Sequence, residues 1–157
     1  MRRAAAIALG SNLVSAWGDR AANLREAVRR VEPLGQVRAV SSFYDTAPVG
    51  YTDQPNFLNA AMLLETELEP VELMRALLMI ERAMGRDRAI AVAKGPRVID
   101  LDLLLMDDVV MATEELTLPH PAMAERRFVL EPLAEIAPNM VDPRSGRRVA
   151  EMLAAVD

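Results

Sequence analysis

Two aspartates lie two residues apart in the segment 98–106, VIDLDLLLM, which is otherwise typical of a buried β-strand. Because side chains alternate between the faces of a strand, Asp100 and Asp102 share one face. The same alternation predicts that the other face carries Ile99, Leu101, Leu103 and Leu105. Like charges on one face repel, and a buried carboxylate without a partner is costly. A divalent cation would offset both effects, and oxygen-only ligands favour Mg²⁺. The alternative is a solvated edge strand.

Basic residues are concentrated just before this segment. Residues 82–97 contain five basic side chains and one acidic one, in a chain of formal net charge −5. Arginine guanidinium groups match phosphate oxygens and keep their charge. Metal-binding carboxylates next to Arg86, Arg88 and Arg97 would suit phosphoryl-type transfer, in which charge stabilisation and positioning supply most of the catalysis. A solvated, flexible connecting loop is the alternative. The chain has no glycine-rich phosphate loop ending in Gly-Lys-Ser/Thr, so a nucleotide would have to be held by side chains.

Two further groups of side chains could contact a substrate. The single histidine, His120, lies between two prolines and is followed by Arg126 and Arg127, which predicts a second cationic wall. A purely structural histidine is the alternative. Phe57 follows a proline-containing loop and shares a strand face with Asn59. A ring and an amide on one face would suit a planar heterocycle rich in hydrogen-bond donors and acceptors.

Hydrophobic periodicity predicts the elements that position these side chains. We expect strands at 4–9, 37–44, 57–67 and 98–106, and helices at 19–32, 70–84 and 149–155. Residues 46–55 contain two prolines and a glycine and are predicted to form a loop. After a turn at Asp107 and Asp108, residues 109–111 are expected to pair back on the preceding strand. Residues 122–135 are predicted to be partly helical, with a break or an end near Pro132.

The order of these elements indicates the fold class. Strand, helix, strand, strand, helix, strand is the ferredoxin-like order. It predicts an α+β fold in which helices pack on one face of an antiparallel sheet, with C-terminal additions. The length of 157 residues predicts one domain, residues 1–157.

Composition restricts the classes of partner and compartment. The chain has no cysteine, which excludes disulfides and thiolate metal sites and is compatible with a reducing cytoplasm. The apolar run at 4–9 is too short for a signal peptide, and no run approaches a membrane span. The acidic net charge disfavours a nucleic-acid partner. We therefore expect a cytoplasmic monomer with no nucleic-acid or membrane partner.

Taken together, these features resemble the 6-hydroxymethyl-7,8-dihydropterin pyrophosphokinase family of folate biosynthesis. The resemblance covers nearly the whole chain, in the order of the family. The segments that carry it are ALGSN at 8–12, SSFYDTAPVG at 41–50, DQPNFLNAA at 53–61, GRDR at 85–88, GPRVIDLDLLL at 95–105 and LPHPAMAERRFVLEPLAEIAP at 118–138.

The resemblance implies transfer of the β,γ-pyrophosphoryl group of ATP to the pterin hydroxymethyl oxygen, with two Mg²⁺ ions and release of AMP. It implies Asp100 and Asp102 as metal ligands. As a hypothesis of our own, Asp102 also accepts the proton of the attacking hydroxyl. Arg86 and Arg97 would be catalytic arginines at the transferred phosphates. The implied ATP-binding residues are Glu81, Arg86, Arg88, Arg97, His120 and Arg126. The implied pterin-binding residues are Thr46, Val49, Gly50, Phe57, Asn59 and Phe128.

Two alternatives belong to other functional classes. A non-catalytic regulatory module of ferredoxin-like fold could bind a small ligand, although such a module needs no metal carboxylates beside arginines. A metal-dependent glycosyltransferase could also use an Asp-x-Asp pair, although it would usually need a longer chain. Calorimetry discriminates the module from the enzyme, because the enzyme is expected to bind ATP productively only with Mg²⁺.

Overall fold

The computed structural model describes residues 1–49, 52–85 and 96–156. Within these residues, one antiparallel sheet has the strand order β2–β4–β1–β5, and β3 pairs with the first residues of β4. This order and the helices that connect the strands confirm the predicted α+β, ferredoxin-like class. The strands are β1 (Arg3–Ser11), β2 (Gln36–Val40), β3 (Tyr44–Thr46), β4 (Phe57–Thr66) and β5 (Asp100–Met106).

Helices cover both faces of the sheet. On one face, α1 (Arg20–Val31) and α2 (Pro70–Ala83) bury Leu24, Leu73 and Leu77 against residues of β1, β4 and β5. The carboxylate of Asp19 caps α1 by accepting a hydrogen bond from Ala22 N at 2.9 Å.

On the opposite face, the predicted C-terminal additions form a third layer. Here α3 (Arg127–Ile136) and α4 (Val149–Ala155) bury Leu130, Leu133 and Met152 against the sheet. Helices of this chain therefore pack on both faces of the sheet. No helix within the described residues is long and apolar enough to cross a bilayer.

The predicted face of Leu105 was wrong. Leu101 and Leu103 pack with α1 and α2 as expected, but Leu104 and Leu105 both belong to the core on the side of α3 and α4. The pairing of β5 with β1 skips Leu104, because Leu105 lies opposite Ala6 and Leu103 lies opposite Ile7. This bulge reverses the alternation for the last residues of β5. Asp100 and Asp102 precede the bulge and keep their common face.

The strand predicted at 37–44 is divided between β2 and β3. Ser41 N donates to Ala61 O at 2.8 Å, as in a regular ladder. However, Ala61 N donates to the Ser41 hydroxyl at 2.9 Å, so that a side chain replaces the backbone acceptor. The ladder stops at this serine, and the chain pairs with β4 again only from Tyr44.

Two other local predictions were also wrong. Residues 109–111 do not pair back on β5; β6 (Met111–Ala112) pairs instead with β7 (Thr117–Leu118). The Thr113 hydroxyl closes that hairpin, since it donates to Leu116 O and accepts from Leu116 N, both at 3.1 Å.

Pro132 lies inside α3 and does not end it. Buried residues before and after the proline pack on the sheet and keep both halves of the helix in place.

Candidate active site

The floor of the candidate site is a stretch of small residues on the central strand. In β1, Gly10 lies between Asn59 of β4 and Asp100 of β5, and Ala8 lies between Ala61 of β4 and Asp102 of β5. Residues directly opposite in antiparallel strands point to the same face. Small side chains in the middle therefore leave a depression, with an amide on the β4 side and two carboxylates on the β5 side.

The C-terminal layer forms the wall above this floor. A cavity of about 330 Å³ lies between the sheet and the beginning of α3. The Arg126 guanidinium is 5.7 Å from the centroid of the Phe128 ring, a cation–π arrangement that positions both side chains. The cavity brings together the predicted site residues Thr46, Val49, Phe57, Asn59, Arg97, Asp100, Asp102, His120, Arg126 and Phe128.

The β4 side of the cavity combines an oriented amide with an aromatic ring. Asn59 Nδ2 donates a short hydrogen bond to the Thr46 hydroxyl, which links β4 to β3. This bond fixes the rotation of the amide and leaves its Oδ1 above Gly10. Phe57 lies two residues earlier on the same face, so ring and amide line the cavity together.

The β5 side combines carboxylates with a partly buried cation. Arg97 Nη1 lies 3.1 Å from Asp100 Oδ1, and the Arg97 side chain is 14% exposed. Arg97 Nε is buried and has no hydrogen-bond partner among the described residues. A buried charged donor left unpaired costs on the order of 1–3 kcal/mol or more. This arrangement suits an anionic ligand that would supply the missing acceptor.

The environment of His120 favours its neutral form. Burial and the nearby Arg126 lower the pKa of the imidazole below its usual value of 6.5, against an opposing effect of Asp100. Its Nδ1 accepts a hydrogen bond from Ala122 N at 3.2 Å, which places the proton of the neutral ring on Nε2. His120 therefore offers a neutral N–H donor to the cavity near neutral pH.

A nuclear magnetic resonance titration should detect this environment, because His120 is the only histidine. In the free protein its pKa is expected below 6.5, and a bound polyphosphate should raise it. The folded state binds this proton less readily than the unfolded chain does. The contribution of His120 to stability is therefore complete above pH 6.5 and is lost as the pH falls. A free-protein pKa above 6.5 would contradict the assignment.

The other predicted site residues lie outside the cavity or outside the described part of the chain. Glu81 is 1% exposed in α2, and its carboxylate accepts a hydrogen bond from Leu101 N at 2.7 Å. It thus holds β5 at the residue between the two aspartates. Gly50, Arg86 and Arg88 lie outside the described residues.

The sequence prediction missed two residues of the site. Gly10 and Asn12 belong to the ALGSN segment, but neither received a role. Their importance depends on neighbours distant in sequence, Asn59 across the sheet for Gly10 and Arg97 for Asn12. The local signal in the sequence was the run of small residues AAAIALG, within a strand that is otherwise typical of a hydrophobic core.

Comparison with known proteins gives the family. The model of the 7,8-dihydro-6-hydroxymethylpterin-pyrophosphokinase (HPPK) family matches residues 6–138. The 2-amino-4-hydroxy-6-hydroxymethyldihydropteridine pyrophosphokinase of Bacillus subtilis is 49% identical over 138 residues, which are 87% of this chain and 79% of that protein. The protein of the same name from Methylorubrum extorquens is 46% identical, over 96% of this chain and 92% of that protein.

Longer proteins contain a similar region. The folic acid synthesis protein fol1 of Schizosaccharomyces pombe is 40% identical over 94% of this chain, which spans 20% of that protein. The crystal structure of wild-type Plasmodium falciparum HPPK-DHPS superposes with a TM-score of 0.78 at 14% identity, covering 99% of this chain and 45% of that one. At this identity the structure supports the fold alone. The family match and the bacterial identities show that this chain belongs to the HPPK family.

Proposed function

We propose that this protein transfers the pyrophosphoryl group of ATP to the hydroxymethyl group of 6-hydroxymethyl-7,8-dihydropterin, with release of AMP, in folate biosynthesis. The observation that carries the proposal is the division of one cavity into two chemically different sides. Rings and an oriented amide lie toward β4, whereas two carboxylates and a partly buried arginine lie toward β5. A planar pterin and a polyphosphate have these complementary chemistries.

The pterin is assigned to the β4 side. Phe57 and Phe128 would pack against the ring, and Asn59 Oδ1 would accept from its N–H groups, since Nδ2 is held by Thr46. Val49 and Gly50 are proposed to contact the pterin from the neighbouring loop.

Substitution of Gly10 by alanine tests the pterin assignment. The added Cβ would lie 3.0 Å from Asn59 Oδ1, so the amide must shift by a few tenths of an ångström, whereas its distance of 3.6 Å from Phe57 Cδ1 is an ordinary van der Waals contact. We expect KM for the pterin to rise roughly 10-fold, because small displacements of positioning groups are costly in catalysis. KM for ATP should change little, and it is the internal control. Unchanged kinetics for both substrates would argue against a pterin above Gly10.

The triphosphate is assigned to the β5 side. Asp100 and Asp102 fit Mg²⁺, which is commonly held by one or two carboxylates together with substrate phosphates and water. Within the described ranges, no third acidic residue, histidine or cysteine completes a metal-binding cluster with this pair. We propose two Mg²⁺ ions, which when bound would neutralise charge on the phosphates. Arg97 Nε would donate to a phosphate oxygen.

The ATP site would be completed by the remaining predicted residues. Arg126 and the His120 N–H line the same cavity and are proposed to contact the nucleotide. Arg86 and Arg88 are proposed to reach the phosphates from the segment before Pro96, with Arg86 acting mostly in the transition state. For Glu81 we propose an indirect role, because its hydrogen bond to Leu101 N fixes the backbone between the two carboxylates.

The proposed reaction is one displacement at phosphorus. The pterin hydroxyl oxygen forms a bond to the β-phosphorus of ATP, and the bond from that phosphorus to the oxygen bridging the α-phosphate breaks. AMP leaves with the electron pair of that bond. The hydroxyl proton passes to a carboxylate, for which Asp102 is the proposed acceptor. Arg97 stabilises the charge on the phosphates, and the ring contacts hold the hydroxymethyl group in place.

The decisive experiment is an assay for AMP release by the purified protein. AMP should form from ATP only when both Mg²⁺ and 6-hydroxymethyl-7,8-dihydropterin are present, together with an equal amount of pterin pyrophosphate. The matched control is the 6-methyl pterin, which keeps the ring and lacks the attacking oxygen. AMP formation at the same rate with and without the pterin would refute the proposal. Nucleotide-independent pterin binding without turnover would instead favour a regulatory module.

For the chain as a whole we propose a single-domain, monomeric enzyme of a reducing cytoplasm. Two features support this proposal. Both faces of the sheet are covered by helices of the same chain, and the sequence contains no cysteine. Sedimentation at micromolar concentration should give the mass of one chain.

A further inference from the structure

Asn12 hydrogen-bonds to two segments that are distant in the sequence. It follows the end of β1 and is 2% exposed. Its Nδ2 donates to Gln54 Oε1 at 2.8 Å and to Pro55 O at 3.0 Å. Its Oδ1 accepts from Arg97 N at 2.7 Å, and its backbone N donates to Arg97 O at 3.0 Å. Both hydrogens of the amide and its oxygen are therefore used between two segments distant in sequence.

The two segments lead directly into the two sides of the site. Pro55 is two residues before Phe57, and Arg97 is three residues before Asp100. Residues 52–56 and 96–99 are not part of regular strands, so their positions depend on bonds such as these more than on the sheet ladder. An amide that bonds both segments sets the spacing between them.

We propose that Asn12 is a positioning residue that couples the pterin side of the cavity to the phosphate side. This inference rests on the proposed function and deepens it. A nucleotide that binds Arg97 orders the segment 96–99, and through Asn12 it also orders the segment that carries Phe57. The pterin then binds with less loss of freedom, so each substrate raises the affinity for the other by the same factor.

Two substitutions of Asn12 distinguish its side-chain hydrogen bonds to residues 54–55 from its side-chain hydrogen bond to Arg97. Asn12→Asp retains an oxygen that accepts from Arg97 N but places a carboxylate oxygen against Gln54 Oε1 and Pro55 O. Asn12→Ala removes the side-chain hydrogen bonds to both segments. The matched control is Asn23→Ala, because Asn23 is also fully buried, and its Nδ2 donates to Leu13 O at 2.7 Å and Ser11 Oγ at 3.1 Å, outside both segments.

The coupling factor is the ratio of pterin affinities measured by calorimetry with and without a non-hydrolysable Mg²⁺–ATP analogue. We expect a factor of roughly 10 or more in the wild type, within the usual range for coupled sites. It should fall toward 1 in both Asn12 variants and stay unchanged in Asn23→Ala, even if that variant melts at a lower temperature. In Asn12→Asp, KM for the pterin should rise while KM for ATP is retained.

The outcomes distinguish this inference from the proposed function. If the wild type fails to release AMP in a pterin-dependent manner, the proposed function is wrong. If the wild type is active but shows no coupling, or if folded Asn12 variants retain the wild-type factor, the inference about Asn12 is overturned. Circular dichroism establishes that each variant is folded, and Asn12→Ser replaces Asn12→Ala if the alanine variant does not fold.

Discussion

Replacement of Asp102 by alanine is expected to abolish pterin-dependent AMP release while the fold survives. The Asp102 side chain lines the cavity opposite Ala8, on a strand anchored by Leu101 and Leu103 on its other face. Loss of the carboxylate would remove a ligand for Mg²⁺, whose charge stabilisation contributes several kcal/mol to such reactions. A tenfold change in rate is about 1.4 kcal/mol, so we expect a loss of at least roughly 1,000-fold.

The controls for this variant address charge and folding separately. Asp102→Asn keeps the volume of the side chain and removes its charge, and it should lose activity to a similar extent. Asp108→Asn removes a carboxylate from the exposed turn after β5 and should be fully active. Calorimetry should show that ATP binding to Asp102→Ala no longer depends strongly on Mg²⁺. Full activity of Asp102→Ala would mean that the metal assignment is wrong.

Alternation along one strand was enough to predict that the two aspartates share a face. The prediction held for Asp100 and Asp102 because they precede the bulge, and it failed for Leu105 because Leu105 follows it. A bulge depends on how two strands meet, here near Ala6 and Ile7, and strand periodicity does not contain that information. The same reason explains Ser41, whose hydroxyl replaces a backbone acceptor in the ladder.

The candidate site is harder to predict from the sequence than the fold, because it depends on how distant segments of the chain pack together. The order of elements predicted the sheet, and the resemblance gave the site residues, but periodicity does not predict that α3 packs over the aspartate face. The role of Asn12 is hidden for the same reason, because its partners are 42 and 85 residues away in the sequence. Pro132 shows the converse case, in which a local signal for a helix end is overridden by the packing of Leu130 and Leu133.

Tyr44 and Glu135 show how α3 is held over the site. Glu135 accepts hydrogen bonds from the Tyr44 hydroxyl at 2.5 Å and from Ser42 N at 2.9 Å. The carboxylate raises the pKa of Tyr44 to about 12, and the tyrosine in turn lowers the pKa of Glu135. These bonds connect the chain around β3, which carries Thr46, to the helix that carries Phe128. Because these bonds join segments that are distant in the sequence, the hydrophobic periodicity of the sequence does not predict them.

Substitution of Arg97 by lysine should separate activity from stability. Lysine keeps the charge but removes Nε and the planar fork that can bind a phosphate through two parallel hydrogen bonds. Loss of one such donor to developing charge typically reduces turnover on the order of 100-fold. Affinity for ATP should fall less, because other groups of the cavity are also proposed to bind the nucleotide and because the proposed interaction would be strongest in the transition state.

The stability of the same variant should change little or increase. In the free protein Arg97 Nε is buried without a partner among the described residues, so its removal relieves an unfavourable burial. A merely structural arginine would behave in the opposite way, with a lower melting temperature and an activity loss explained by unfolding. Arg38→Lys is the matched control, since Arg38 pairs with Glu65 at the sheet edge, away from the cavity. It should leave kcat unchanged. If Arg97→Lys melts well below the wild type and retains its kcat, the unpaired guanidinium donor serves the fold, and the assignment of the triphosphate to the β5 side is wrong.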